Sequence, residues 1–157
     1  MGEADDEGAA FAGLGVDVQI AAEFADALLN ADQAEAADGT PDTAFTTALG
    51  TGLNDAVHTA VVTTGDKILL GGAFTSLNSV TVGYFARLNS DGSPDTAFNT
   101  AVSGGFNNAV HAIAVQADGK ILVGGVFTQF KGAPVTHLVR INTDGTLDTT
   151  FATNLGT

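Results

Sequence analysis

Asp38-Gly39-Thr40-Pro41-Asp42-Thr43-Ala44-Phe45 opens a unit that the chain repeats. The octapeptide returns as Asp91-Gly92-Ser93-Pro94-Asp95-Thr96-Ala97-Phe98, and again as Asp144-Gly145-Thr146-Leu147-Asp148-Thr149-Thr150-Phe151, each time 53 residues further on. Residues 38–90 laid on 91–143 without a gap are identical at 25 of 53 positions, and the third copy runs for 14 residues, 10 of which match 38–51. A fixed period of this size belongs to solenoids, propellers and arrays, whose units cannot bury their faces alone. Two full copies are too few for that, so the repeat predicts assembly before it predicts any ligand.

Inside each unit the pattern is one of short strands broken by turns. Residues 56–63 and 109–116 read as a first strand. A turn follows at Gly65-Asp66 and at Asp118-Gly119, then a second strand over 67–72 and 120–125. A looser segment, 76–81 and 129–134, precedes a third strand over 82–89 and 135–142. The Asp-Gly turn comes next. A fourth, weak strand is expected at 43–47, 96–100 and 149–153. Four short strands per unit with sharp turns between them is the pattern of a propeller blade. The pairs Gly71-Gly72 and Gly124-Gly125 end an apolar strand, where glycine permits a bend or a close backbone approach.

The residues Ala109-Val110-His111-Ala112-Ile113-Ala114-Val115-Gln116-Ala117-Asp118-Gly119-Lys120-Ile121-Leu122-Val123-Gly124-Gly125, followed by Arg140-Ile141-Asn142-Thr143-Asp144-Gly145 and Leu147-Asp148, resemble the delta-60 repeat family of β-propellers. The resemblance covers 38–157. It is looser in the first copy, where Thr64-Gly65-Asp66-Lys67 stands in place of an Asp-Gly-Lys turn. It implies an all-β fold with two four-stranded blades per chain, and it implies the setting of such arrays: bacterial surface and secreted proteins, and bacteriophage tail and virion proteins. It supplies no catalytic residue.

Ahead of the repeats, residues 1–37 form an arm with nine acids and no Lys or Arg, while 38–157 hold nine acids and five bases. Val16, Ile20, Phe24 and Leu28 recur every four residues, which predicts a short helix over 16–30 with a narrow apolar stripe. Ile20, Phe24 and Leu28 are the candidate docking residues, either onto the chain's own domain or onto a neighbour. The formal net charge of −13 disfavours nucleic acid and anionic membrane as partners. There is no Cys, no basic leader followed by an apolar run, and no apolar stretch of membrane-spanning length.

Chemistry candidates are few. His58 and His111 are equivalent, and by alternation His111 shares a face with Ile113 and Val115, which predicts a packed, hydrogen-bonded histidine. With no Cys and no carboxylate at ligand spacing, no metal site or cofactor is expected. The Asp-Gly-x-x-Asp stretch lacks the alternating oxygens and bidentate Glu of a calcium loop. Arg87 and Arg140 are expected to clamp the carboxylates Asp42, Asp95 and Asp148, because an Arg fork matches a carboxylate and the set recurs in every unit. The overall expectation is a non-enzymatic structural protein in a virion, as a capsid decoration or tail component. It would complete a six-bladed propeller as a homotrimer, with no nucleic-acid or membrane partner. The alternative is a carbohydrate-binding module, extracellular or on a cell surface, although the chain has no Trp and only Tyr84 to stack on a sugar.

Overall fold

The Asp-Thr-Ala-Phe segments decide the outer layer of the fold, and they form helices. The computed structural model describes residues 42–154. Helix α1 spans Thr43–Leu49, α2 spans Thr96–Ala101 and α3 spans Thr149–Asn154. Asp42, Asp95 and Asp148 cap them, each accepting the amide of the Phe three residues on, at 2.9, 3.2 and 3.3 Å. A short carboxylate that satisfies a first-turn N–H favours a helix start over a strand. Phe45 and Leu49 in α1 are both buried, four residues apart, which is a helical spacing and not a pleat. The expected fourth strand is therefore replaced by a helix in each unit.

Each blade is consequently a three-stranded antiparallel sheet with a small hairpin. In the first, β1 (Val57–Val62), β2 (Ile68–Gly72) and β5 (Phe85–Leu88) lie in that order, with β3 (Ser76–Leu77) and β4 (Val80–Thr81) as a separate ribbon. In the second, β6 (Val110–Val115), β7 (Ile121–Gly125) and β10 (Leu138–Ile141) repeat the arrangement, with β8 (Gln129–Phe130) and β9 (Ala133–Pro134) as the ribbon. The fold is all-β with antiparallel sheets, as the repeat predicted, and the looser segment is the hairpin. At its free edge β5 meets side chains where a fourth strand would pair. Arg87 N donates to Asn99 Oδ1 at 2.8 Å and Asn99 Nδ2 donates to the Arg87 carbonyl at 3.0 Å.

The double glycines allow a close approach. A Cβ on Gly72 or Gly125 would collide with the carbonyl oxygen of Ala56 or Ala109, at the start of the strand alongside. The register shifts there, between Val57 and Thr59 and between Val110 and Ala112. This bulge corrects the expectation for the histidines. One extra residue reverses alternation, so His58 and His111 turn outward and are exposed, while Val110 and Ile113 are buried.

Two apolar cores result. The first gathers Phe45, Leu49, Leu53 and Phe74 with the inward residues of β2 and β5. The second gathers their counterparts Phe98, Val102, Phe106 and Phe127, and it also takes in Leu69 and Phe85 from the first blade. Phe85 meets the rings of Phe98 and Phe106 edge-on, at 5.8 and 5.9 Å. The two blades are thus sealed by one shared core, and β6 packs against both β1 and β2. The helix expected over 16–30, with Ile20, Phe24 and Leu28, lies outside the described residues.

Candidate functional site

Three groups of polar residues stand out, and two of them are internal. Arg87 and Lys67 converge on Asp95: Arg87 Nε at 3.0 Å, Nη2 at 3.0 Å and Lys67 Nζ at 3.4 Å from Oδ2. Arg140 and Lys120 converge on Asp148 in the same way, with both Arg nitrogens and the Lys nitrogen at 2.9 Å. Both aspartates are buried. For Asp95, burial pushes the carboxyl up most strongly, but the Phe98 amide, Arg87 and Lys67 together outweigh it and hold it below the usual carboxylate value. Asp148 is held further below it, by the Thr150 hydroxyl first and then by Lys120, against the opposing effect of burial. The guanidinium of Arg87 also sits 3.9 Å over the Phe98 ring, and that of Arg140 sits 4.7 Å over Phe151.

These clamps tie β5 to α2 and β10 to α3. Asp42, the third aspartate assigned to the clamp, is exposed and caps α1 without any cation among the described residues. The lysines were missed in the sequence. Their signal was present: Lys67 and Lys120 are 53 residues apart and each directly follows a turn.

The third group spans the blades. His58 and His111 stack with ring centroids 4.8 Å apart and planes 13° apart, and His58 Nδ1 lies 3.2 Å from the Val110 carbonyl oxygen. Phe106 N donates to the Gly83 carbonyl at 3.0 Å, and Arg87 Nη1 donates to the Thr143 carbonyl at 3.1 Å. Polar contacts and the shared core therefore make one continuous inter-blade joint.

Residues 66–98 and 116–151 match a family described as "Domain of unknown function (DUF5122) beta-propeller". The two repeats are similar to this β-propeller family over 33 and 36 residues. Neither a curated protein nor a solved structure matches the chain. The family match falls on the same two units as the resemblance read from the repeats. In each unit it begins next to the turn between the first two strands and ends at the Phe of the helix that follows.

A propeller blade normally has a neighbour on each side, and here the two blades can be compared position by position. Leu69 and Phe85 on the first blade are fully covered by the second. Their counterparts on the second blade are Leu122, half-buried, and Leu138, 40 % exposed. On the opposite side Val110 and Ile113 are buried, whereas their counterparts Val57 and Ala60 are only half-buried. Each blade thus has one finished face and one open face of matching character. A cavity of about 220 Å³ also opens between the β3–β4 ribbon and α2, lined by Leu77, Asn78, Val80, Pro94, Asn99 and Ser103 among others. Among the described residues no three His, Asp or Glu side chains cluster as a metal site would require, and every buried side-chain polar atom has a partner.

Proposed function

We propose that the protein is a non-enzymatic structural component of a virion, a bacteriophage capsid decoration or tail component, that acts by oligomerising and by docking on a larger assembly. The observation that carries this reading is the difference between the finished and open faces of the two blades. Phe85 is 0 % exposed where a blade follows, and its counterpart Leu138 is 40 % exposed where none does. The clamps and the histidine pair act within the chain, so the polar chemistry supports building and not turnover. Three copies would supply six blades, within the roughly four to eight of known propellers. A head-to-tail contact closes into a ring when its rotation permits. The acidic arm of residues 1–37 gives such a ring a second element with which to hold a shell.

Native mass spectrometry tests the assembly, with a homotrimer expected and a monomer at all concentrations refuting it. The virion role is tested on particles made with and without the protein. Particles lacking it should lose resistance to heating, and equal resistance would refute the role. A second reading, a carbohydrate-binding module, rests on the cavity beside α2, whose amides and hydroxyls suit a sugar, although no aromatic side chain among the described residues lines it. Specific retention on a glycan array would favour that reading.

A further inference from the structure

We propose that the open face of the second blade, bearing Gly124, Leu138 and the Arg140–Lys120 pair, seats the segment Asp42–Leu49 and the adjoining β1 of a second copy of this chain, which enters by displacing α3. The inference rests on the oligomeric reading above and specifies its joint.

The internal joint is the template. At that joint a Cβ on Gly71 would run into the Val110 side chain, because the next blade lies directly on it. Gly124 is the equivalent position on the second blade, and a Cβ there would find nothing nearer than 3.8 Å among the described residues. The same residue type is required by packing in one place and is spare in the other. The opposite side shows the complementary gap. Phe106 N donates across the joint to Gly83, and its counterpart Leu53 N has no acceptor among the described residues. Asp95 and Asp148 each hold an Arg and a Lys, and their counterpart Asp42 holds neither.

The helices explain how a second copy enters. α2 serves both blades: Asp95 is clamped by the first, and Phe98 is buried in the core of the second. α1 and α3 each do half of this. Phe45 of α1 is buried in a core while Asp42 lacks a clamp. Asp148 of α3 is clamped while Phe151 is only half-buried. Transferred to a joint between copies, α1 of one chain and α3 of the other fall on the same site, so one must leave. Sequence favours α1 as the one that stays. Residues 38–45 match the working segment 91–98 at seven of eight positions, and residues 144–151 match it at five. α3 is then a placeholder that closes the clamp in the free chain, and Asp42 of the incoming copy takes Arg140 and Lys120 when the copies join.

One substitution works against this joint. Thr136 stands where Gly83 allows contact, and a Cβ on Gly83 would lie 2.9 Å from Gly105 Cα. The joint between copies is therefore looser than the internal one along that rim, which suits a contact that forms after folding.

The test measures self-association of the full chain and three variants by native mass spectrometry and sedimentation, with melting curves as a check on folding. Gly124→Val should melt at or above the wild-type temperature and remain monomeric, since the added side chain has room in one chain and none in the joint. Asp42→Asn keeps a good helix cap but removes the charge, and should weaken association by roughly ten- to a hundredfold, the worth of a charge-assisted contact. Asp148→Asn loosens the placeholder and should associate at least as well as wild type. A wild-type chain that stays monomeric overturns this joint together with the assembly reading. A ring that Gly124→Val leaves intact overturns the joint alone. Loss of association in Asp148→Asn with none in Asp42→Asn means that α3 stays and α1 leaves, which overturns the assignment of the segment.

Discussion

Replacing Arg87 with Ala removes more than one ion pair, and the two blades provide an internal control. Arg87 makes two contacts to Asp95 at 3.0 Å, one to the Thr143 carbonyl across the joint at 3.1 Å, and a stacking contact with Phe98 at 3.9 Å. Breaking a buried pair by removing one partner costs about 3–5 kcal/mol. Here Lys67 remains to hold Asp95, and the Arg87 side chain is 18 % exposed, so the loss should be about 2–3 kcal/mol, within the usual range for charge-assisted hydrogen bonds. For a folded unit of this size that corresponds to a melting temperature roughly 10 °C lower. Arg140→Ala should cost less, because Arg140 reaches no following blade, approaches Gln116 only at 3.4 Å and stacks more loosely on Phe151. Differential scanning calorimetry on the two variants reads both values. A wild-type melting temperature for Arg87→Ala, or an equal or larger loss for Arg140→Ala, would refute the argument that the joint adds to the clamp.

Gly72→Ala should prevent stable folding, since the added carbon meets the Ala56 carbonyl, a backbone atom that cannot rotate away; circular dichroism would show the loss, and a native spectrum would refute it. Stability should fall in acid. The folded-state pKa of Asp95 and Asp148 lies below the unfolded value of about 3.9, so their contribution is complete above that value and is lost as pH drops through the folded one. Melting curves on Asp95→Asn should show a lower temperature at pH 7 and a weaker dependence on acid; an unchanged acid dependence would refute the clamp's part in it. Replacing Ile20, Phe24 and Leu28 together by Ser should leave the repeat module folded and abolish attachment to the larger assembly, measured by co-sedimentation with particles; attachment at full strength would rule out the arm as the anchor.

Much of the fold was legible because its signals are local. The Asp-Gly turns, the Gly-Gly strand ends and the 53-residue period each depend on a few neighbouring residues and recur. The Arg–Asp pairs were legible for the same reason, as eight residues separate Arg87 from Asp95 and Arg140 from Asp148. The outer helices were misread as strands because Thr and Phe favour strands on average, while the cap that overrides this preference is a single hydrogen bond from the Phe amide to the Asp side chain. Strict alternation puts the histidines on the apolar face, and the bulge reverses it. That bulge arises where β1 passes Gly72 and β6 passes Gly125, a contact between segments more than ten residues apart.

By itself the sequence determined the repeating unit, its turns, its three main strands and the Arg87–Asp95 and Arg140–Asp148 pairs, since all of these follow from residue type and short spacing. The tertiary structure decided which copies of the unit are finished. Gly71 and Gly124 are the same residue in the same motif, and so are Asp42, Asp95 and Asp148. Yet among the described residues Gly71 is closed by Val110 and Gly124 is open, and two of the aspartates hold cations while Asp42 holds none. Burial and pairing depend on what lies across a face. That is set by the position of a blade relative to its neighbours, which no residue within the blade encodes.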